Sequence, residues 1–349
     1  MADHRVPPIV ASGEPTSALS PAYANANFPL DPDGRTYHVH TKAGQIAPRV
    51  VTVGDMLRAR TLATHLDGPP AFEHTSKRGF HAITGTFRGV PVSIVAIGMG
   101  IGNMDMFVRE VRATTSGPLR IVRFGSCGAV GQGHCGQIAV AAHGAVMLTR
   151  HYDAFLPAAT RTSPDPSAST PASASASTPA SASVSTAHVV TDKADAAATT
   201  AGSRVLCGGR YHVSQVCPAD GPLSDHLAAH LAAHLGGAQH VICGLNATAD
   251  TFYASQGRAD PHFDDGNASL IAELRALEPA IETLEMENFM LFHLAACSAA
   301  ADPASQIRAA ACAMIFADRV NNAFIESAQV AILEKVGGLA VLEALCLHD

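Results

Sequence analysis

Ten residues, Ala249-Asp250-Thr251-Phe252-Tyr253-Ala254-Ser255-Gln256-Gly257-Arg258, bring together an aromatic ring, an amide and a guanidinium behind a short apolar run. The ring can stack on a flat heterocycle, the glutamine can donate and accept in one plane, and the arginine offers a rigid fork of donors. Together they suit the edge of a uracil-like base, where carbonyl oxygens alternate with an N–H. Phe-x-x-x-Gln-x-Arg alone is weak, since any polar loop after a strand could carry it. Its meaning depends on what else converges there.

A second group joins positive charge to backbone donors. Arg123 and Gly125 fall on one face of a strand, with Ser126 at its tip in Gly125-Ser126-Cys127-Gly128. A guanidinium, a hydroxyl and backbone N–H groups are what phosphate binding requires. The alternative is an arginine paired with a core carboxylate. Arg58, four residues after Gly54, would be turned back toward the strand ends by a first helical turn, while Arg78 lies in a polar stretch. Either could be a plain surface charge. Gly98-x-Gly100-x-Gly102 lacks the dinucleotide spacing, and Asp105 comes too soon for its ribose carboxylate, which leaves a tight turn with close backbone packing or an anion contact.

Leu284-Glu285-Met286-Glu287-Asn288 reads as the opening of an apolar helix that runs to Ser298. Acidic residues there complement the helix dipole. The functional alternative has Glu287 on ribose hydroxyls and Met286 under the sugar. Asp318 and Arg319 follow a buried strand, a usual address for site residues in α/β sheets. His226, His230 and His234 repeat every fourth residue and could line one helix face as metal ligands. They lack the glutamate of HExxH, and we read them as a packed or solvated face. Cys127 and Cys135 match no common zinc spacing.

Positioning these groups requires a sheet. Apolar runs at 48–53, 92–97 and 119–124 each meet glycine at their C-terminal end, with a helical pattern such as Asp105 to Thr114 between two of them. That alternation implies a buried sheet flanked by helices, with ligands held where strands end. A further strand is expected over 311–317 and a closing helix from about Asn322 to Val336. Residues 1–35 read as an extended or partly disordered arm. The Ser/Ala/Thr/Pro stretch at 163–187 reads as a low-complexity insertion within one domain, because it cannot bury enough apolar surface to offset its chain entropy.

With 349 residues, 47% hydrophobic and 15% charged, the chain can bury a sizeable core. Its net charge of −7 and scattered Lys and Arg argue against a nucleic-acid partner. No apolar run is long enough for a membrane span, and Met1 to Val10 lacks an apolar h-region, so no signal peptide is expected. Eight cysteines without a CxxC pair suggest reduced thiols, hence a cytoplasmic protein.

Read in chain order, seven pieces resemble the nucleoside phosphorylase superfamily, and most closely its uridine phosphorylases. They are Tyr37-His38-Val39-His40, Gly54-Asp55 with Arg58, Lys77-Arg78-Gly79-Phe80, Gly98-Met99-Gly100, Arg123 to Gly128, Asp250 to Tyr253 with Gln256 and Arg258, and Glu285-Met286-Glu287. The resemblance covers about residues 36–335, apart from the insertion. The Gln-x-Arg pair is what separates the uridine branch from purine relatives.

The resemblance implies a single-domain α/β three-layer sandwich with a central mixed, partly barrel-like sheet. It implies reversible phosphorolysis of uridine to uracil and α-ribose 1-phosphate in pyrimidine salvage, with phosphate as co-substrate and no cofactor. Phosphate would be held by Gly54, Arg58, Arg123 and Ser126, with Arg78 reaching in from a neighbouring subunit. Ribose would be held by Met286 and Glu287, with the neighbour's His38, or else His40, on the 5′-hydroxyl. The base would stack near Phe252, with Gln256 and Arg258 on its polar edge. Arg123, Gln256 and Arg258 would be the catalytic groups, in at least a homodimer.

Two departures matter. Gly79 replaces a carboxylate that helps hold a monovalent cation in bacterial relatives, so no metal is expected. Asp318 stands where uridine phosphorylases commonly have Asn, and purine-cleaving relatives use an Asp there to protonate the leaving base. A purine or broad-specificity phosphorylase is therefore the alternative. A nucleosidase is weakened by three candidate phosphate arginines, and a non-catalytic nucleoside-binding protein by the presence of nearly all the motif residues.

Overall fold

The computed structural model of the chain describes Tyr23, residues 25–156 and residues 204–347. The arm expected over 1–35 lies mostly outside the described residues, and the insertion expected at 163–187 lies wholly outside them. In chain order the first half contains β1 (Arg49–Val53), α1 (Met56–Ala63), β2 (Phe72–Thr75), β3 (His81–Phe87), β4 (Val90–Ala96), α2 (Ile101–Thr114), β5 (Leu119–Ala129), β6 (Ile138–Val140) and β7 (Ala145–Arg150). The second half adds β8 (Val205–Leu206), β9 (Tyr211–Val213), α3 (Gly221–Leu235), β10 (Val241–Cys243), β11 (Leu245–Ala249), α4 (Leu270–Leu277) and β12 (Ile281–Glu285). It ends with α5 (Asn288–Ala301), β13 (Ile307–Asp318), β14 (Ala323–Phe324) and α6 (Ser327–Cys346).

The apolar runs form central strands because both of their faces are covered. Val51, Val53, Ile94, Val122 and Phe124 point into one core with Leu62 of α1, Leu227 of α3 and Val341 of α6. Their neighbours Val50, Val95 and Ile121 point into a second core with Met104 and Phe107 of α2 and Leu291 and Phe292 of α5. This period-2 split places helices on both sides of the sheet. The expected α/β architecture of a mixed sheet between helices is what the chain forms. The main order is β2-β3-β4-β1-β5-β12-β11-β7-β9-β8, and β13 leads off β5 to β6 and β10. β5 runs parallel to β1 and β13 and antiparallel to β12, so the sheet forks at β5 and does not close.

Several boundaries differ from expectation, each for a tertiary reason. Gly125 to Gly128 is not a turn. β13 pairs with β5 along its length, and β12 joins at Gly128 and Ala129, so the strand continues and Ser126 lies within it. The segment from Leu284 is not yet helix. Leu284 pairs with Gly128 and Ala247, Glu285 ends the strand, and α5 starts at Asn288. β13 begins four residues before Ala311, and the closing helix starts at Ser327 and extends to Cys346. The glycine run after β4 is the tight turn expected: Gly98 and Gly100 take φ of 75° and 93°, and α2 begins immediately after.

Candidate active site

A cavity of about 340 Å³ lies where β1, β4, β5, β11, β12 and β13 end. Gly54, Arg58, Arg123, Ser126, Phe252, Gln256, Arg258, Met286 and Glu287 all line it. Residues up to 233 positions apart in sequence thus meet at one end of the sheet, as open α/β sheets favour.

At the cationic end, Gly54 leaves open the space that two guanidinium groups face. A methyl group there would lie 3.8 Å from Arg123 Nη2 and 4.0 Å from Arg58 Nη1. Arg58 is fixed from behind: its Nε donates to Glu334 Oε1 of α6 at 2.9 Å, and Asp55 caps α1 by accepting from the Arg58 N–H. Arg123 is only 3% exposed. Its Nη2 donates to Glu287 Oε2 at 2.9 Å, while Nε and Nη1 are buried without a hydrogen-bond partner among the described residues. Buried charged donors without acceptors are costly, and an anion could offset that cost here. Arg123 thus pairs with a carboxylate, the alternative named for it above.

Two carboxylates organise the next segment. Glu285 accepts from the backbone N–H groups of Glu287 and Asn288 at 2.6 and 2.9 Å, capping α5. Its other oxygen accepts from Asn246 Nδ2 at 2.7 Å and Thr248 Oγ1 at 2.5 Å. Glu287 accepts from the Gly100 N–H at 2.5 Å as well as from Arg123. Glu287 therefore faces the cavity with its orientation set from both sides, and Glu285 is the buried support that sequence reading did not single out. A signal exists in a Glu three residues before Asn288, where α5 starts, but reading the segment as helix from Leu284 hides it.

Burial and the neighbouring Glu287 push the Glu285 carboxyl up from 4.5 to about 7. The folded chain therefore favours protonated Glu285. That stabilisation is complete below pH 4.5 and is lost as pH rises through 7. Relative to Glu285→Gln, wild-type melting temperature should fall more between pH 5 and pH 8. A wild-type-minus-variant difference that stays constant over that range would contradict the shift.

At the other end, Asp250 accepts from the Arg150 N–H at 3.0 Å and from the Ser255 hydroxyl, which folds the loop after β11 into a short turn. Gly257 is left-handed at φ 61°, and a Cβ there would meet Ile271 Cγ1 at 2.9 Å. This turn buries Gln256 to 3% exposure. Arg319 clasps the loop from β13 by donating to the carbonyls of Gln256 and Gly257 at 3.0 and 3.2 Å. Arg258 donates from Nε to the Phe252 carbonyl at 3.1 Å, with its guanidinium 4.0 Å from the Phe252 ring centroid. Phe252 thus carries the arginine on one face while its ring still lines the cavity. Burial and then Arg319 pull the Arg258 pKa below its usual value, so negative charge is welcome here too.

Asp318, Arg78 and both candidate histidines, His38 and His40, lie off the cavity. Asp318 accepts from Asn321 Nδ2 at 2.9 Å and from the N–H groups of Val320 and Asn321, with His134 Nδ1 at 3.0 Å. His134 and Asn321 hold its carboxyl down to about 2, so it is ionised and has no proton to give a leaving base. Arg78 donates to the Tyr37 hydroxyl at 2.8 Å and stacks on its ring at 4.7 Å. His38 stands edge-on to the same tyrosine and pairs with Glu110 at 2.6 Å. His40 instead turns to His74, 3.2 Å away. Tyr37, His38 and Arg78 form one patch that does not reach this chain's own cavity.

The phosphorylase superfamily matches over residues 48–331. Among solved structures, a uridine phosphorylase of the oomycete Phytophthora capsici is 34% identical with a TM-score of 0.75, over 94% of this chain and 100% of that one. A Trypanosoma brucei nucleoside phosphorylase described as showing uridine phosphorylase activity shares the fold at 20% identity and a TM-score of 0.65, covering 91% and 99% of the two chains. Among curated sequences, the DeoD-type purine nucleoside phosphorylase of Geobacillus kaustophilus is 35% identical over 94 residues, 27% of this chain and 39% of that protein. The Mannheimia succiniciproducens protein of the same name is 41% identical over 96 residues, with the same coverage. The match thus spans well under half the length of those curated relatives. Family and fold agree with the geometry: the chain belongs to the phosphorylase superfamily.

Proposed function

We propose that the chain is a uridine phosphorylase, a pentosyltransferase that converts uridine and phosphate to uracil and α-ribose 1-phosphate. The observation that carries this reading is that Gln256 and Arg258 share one cavity with the half-partnered Arg123. Phosphate held by Arg58, Arg123 and Ser126 would sit below C1′, with the ribose on Met286 and Glu287. A phosphate oxygen forms a bond to C1′ as the C1′–N1 bond breaks, and the bonding pair leaves with the base. Positive charge on the sugar is met by the phosphate, and negative charge on uracil by the Arg258 and Gln256 donors. The 34% identity to the Phytophthora capsici enzyme supports the choice of base.

A purine-cleaving chain is the second reading, favoured by the partial match to purine nucleoside phosphorylases. It is weakened by Asp318, which is held ionised off the cavity. Base release from uridine, inosine and methylthioadenosine, each with and without phosphate, separates the readings. Uridine cleavage that needs phosphate is expected, inosine preference would establish the purine reading, and no turnover would leave a binding protein. We also place Arg78 and His38 in the neighbour's site, which makes a dimer the smallest active unit. Activity should then fall on dilution in step with mass, and a fully active monomer would refute the assignment. All eight cysteines are unpaired, which supports a reducing, cytoplasmic setting in nucleoside salvage.

A further inference from the structure

Away from the cavity, α3 and α6 bring two histidines onto one carboxylate oxygen. His230 and His234 are one helical turn apart on α3, and Glu343 lies near the end of α6. His230 Nδ1 stands 3.1 Å and His234 Nε2 2.7 Å from Glu343 Oε2. The three ligand-type atoms lie within 4.8 Å of one another. A tetrahedral zinc with ligands at about 2.0–2.2 Å needs its ligand atoms roughly 3.3 Å apart, so side-chain movements well under a helical turn would complete three corners.

We propose a divalent transition-metal site, of the zinc class, made by His230, His234 and Glu343. The spacing alone did not mark it, because the third ligand is 109 positions beyond His234 and the first member of the stripe, His226, is not part of the cluster. Two imidazoles with one carboxylate suit zinc and its neighbours and not magnesium or calcium, which take oxygen. The surroundings match a built site. Leu223, Leu227 and Leu231 bury the adjacent face of α3 in the same core as Leu342 and Leu345 of α6, which fixes the two helices against each other. Glu343 is itself buried, and Arg88, from the turn between β3 and β4, donates to its other oxygen. A ligating carboxylate held by such a second partner keeps its free oxygen aimed at the metal. The histidines are partly exposed, which gives an ion a way in. None of the three residues lines the cavity, so the site would join α3 to α6 and act on stability rather than on the chemistry.

The test uses the full chain, stripped with EDTA and titrated with Zn²⁺ against a chromophoric chelator, with melting followed in parallel. One equivalent should bind and raise the melting temperature. His234→Gln, which keeps a donor for Glu343, and His230→Gln/His234→Gln should each weaken binding at least about tenfold and abolish the thermal shift. His226→Gln should change neither. Absence of Zn²⁺ uptake, or uptake of equal affinity in the double variant, would overturn the proposal. Circular dichroism matching the wild type confirms that the variants are folded when they are compared.

Discussion

Arg258→Ala is expected to slow uridine phosphorolysis about 10²–10³-fold, the usual loss when one preorganised donor to a developing anion is removed. Arg258 is well placed for such a role. It is half-buried, anchored by the Phe252 carbonyl, stacked on the Phe252 ring and 3.5 Å from the Gln256 amide oxygen. Its rotamer is therefore set before any base arrives, and little reorganisation is needed as charge develops. Burial and the nearby Arg319 make an unneutralised cation unfavourable there, so an anionic base gains more from this end than a neutral one. Arg258→Lys should recover little, because a point charge on a flexible stem cannot reproduce the planar fork or the stacking. Steady-state kcat/KM for uridine, measured on variants that melt like the wild type, checks this. Near-normal uridine cleavage by Arg258→Ala would remove the residue from the mechanism.

Arg123→Met should be costly twice over. It removes the buried guanidinium whose Nε and Nη1 have no acceptor among the described residues, so saturation by phosphate should be lost. It also leaves Glu287 buried beside Glu285 without its cation, and breaking a buried pair from one side costs about 3–5 kcal/mol. Arg123→Met/Glu287→Gln separates the two effects: it should regain most of the stability and none of the activity. Phosphate should raise the melting temperature of the wild type by mass action and leave both variants unmoved. A double variant that still melts higher with phosphate would place the anion elsewhere.

Which residues line the cavity was largely legible in the sequence, but much of what holds them there was not. Val50 to Val53, Ile94 to Ala96 and Ile121 to Phe124 announce central strands because a strand covered on both faces is nearly continuously apolar, here interrupted only by Thr52 and Arg123. Glycine after each run marked the strand ends where the cavity lies, and Arg58, Arg123, Gln256 and Arg258 do line it. Boundaries failed where distant pairing outweighed local signals. Gly125 to Gly128 punctuates the chain locally, yet β12 and β13 keep it extended. Leu284 and Glu285 begin an apolar run that fits a helix, yet they pair with β5 and β11. The state of Asp318 depends on His134, 184 positions away, and the hold of Arg319 on Gln256 spans 63. Such contacts belong to the folded topology and leave no local trace.

The most direct test is the initial rate of uracil formation from uridine as phosphate is raised from zero, with the sugar product identified at each point. A phosphorylase built as described gives no uracil without phosphate, a saturable rise with it, and ribose 1-phosphate in step with uracil. Uracil released at the same rate without phosphate, with free ribose as its partner, would contradict the assignment of Arg58 and Arg123 to an anionic co-substrate.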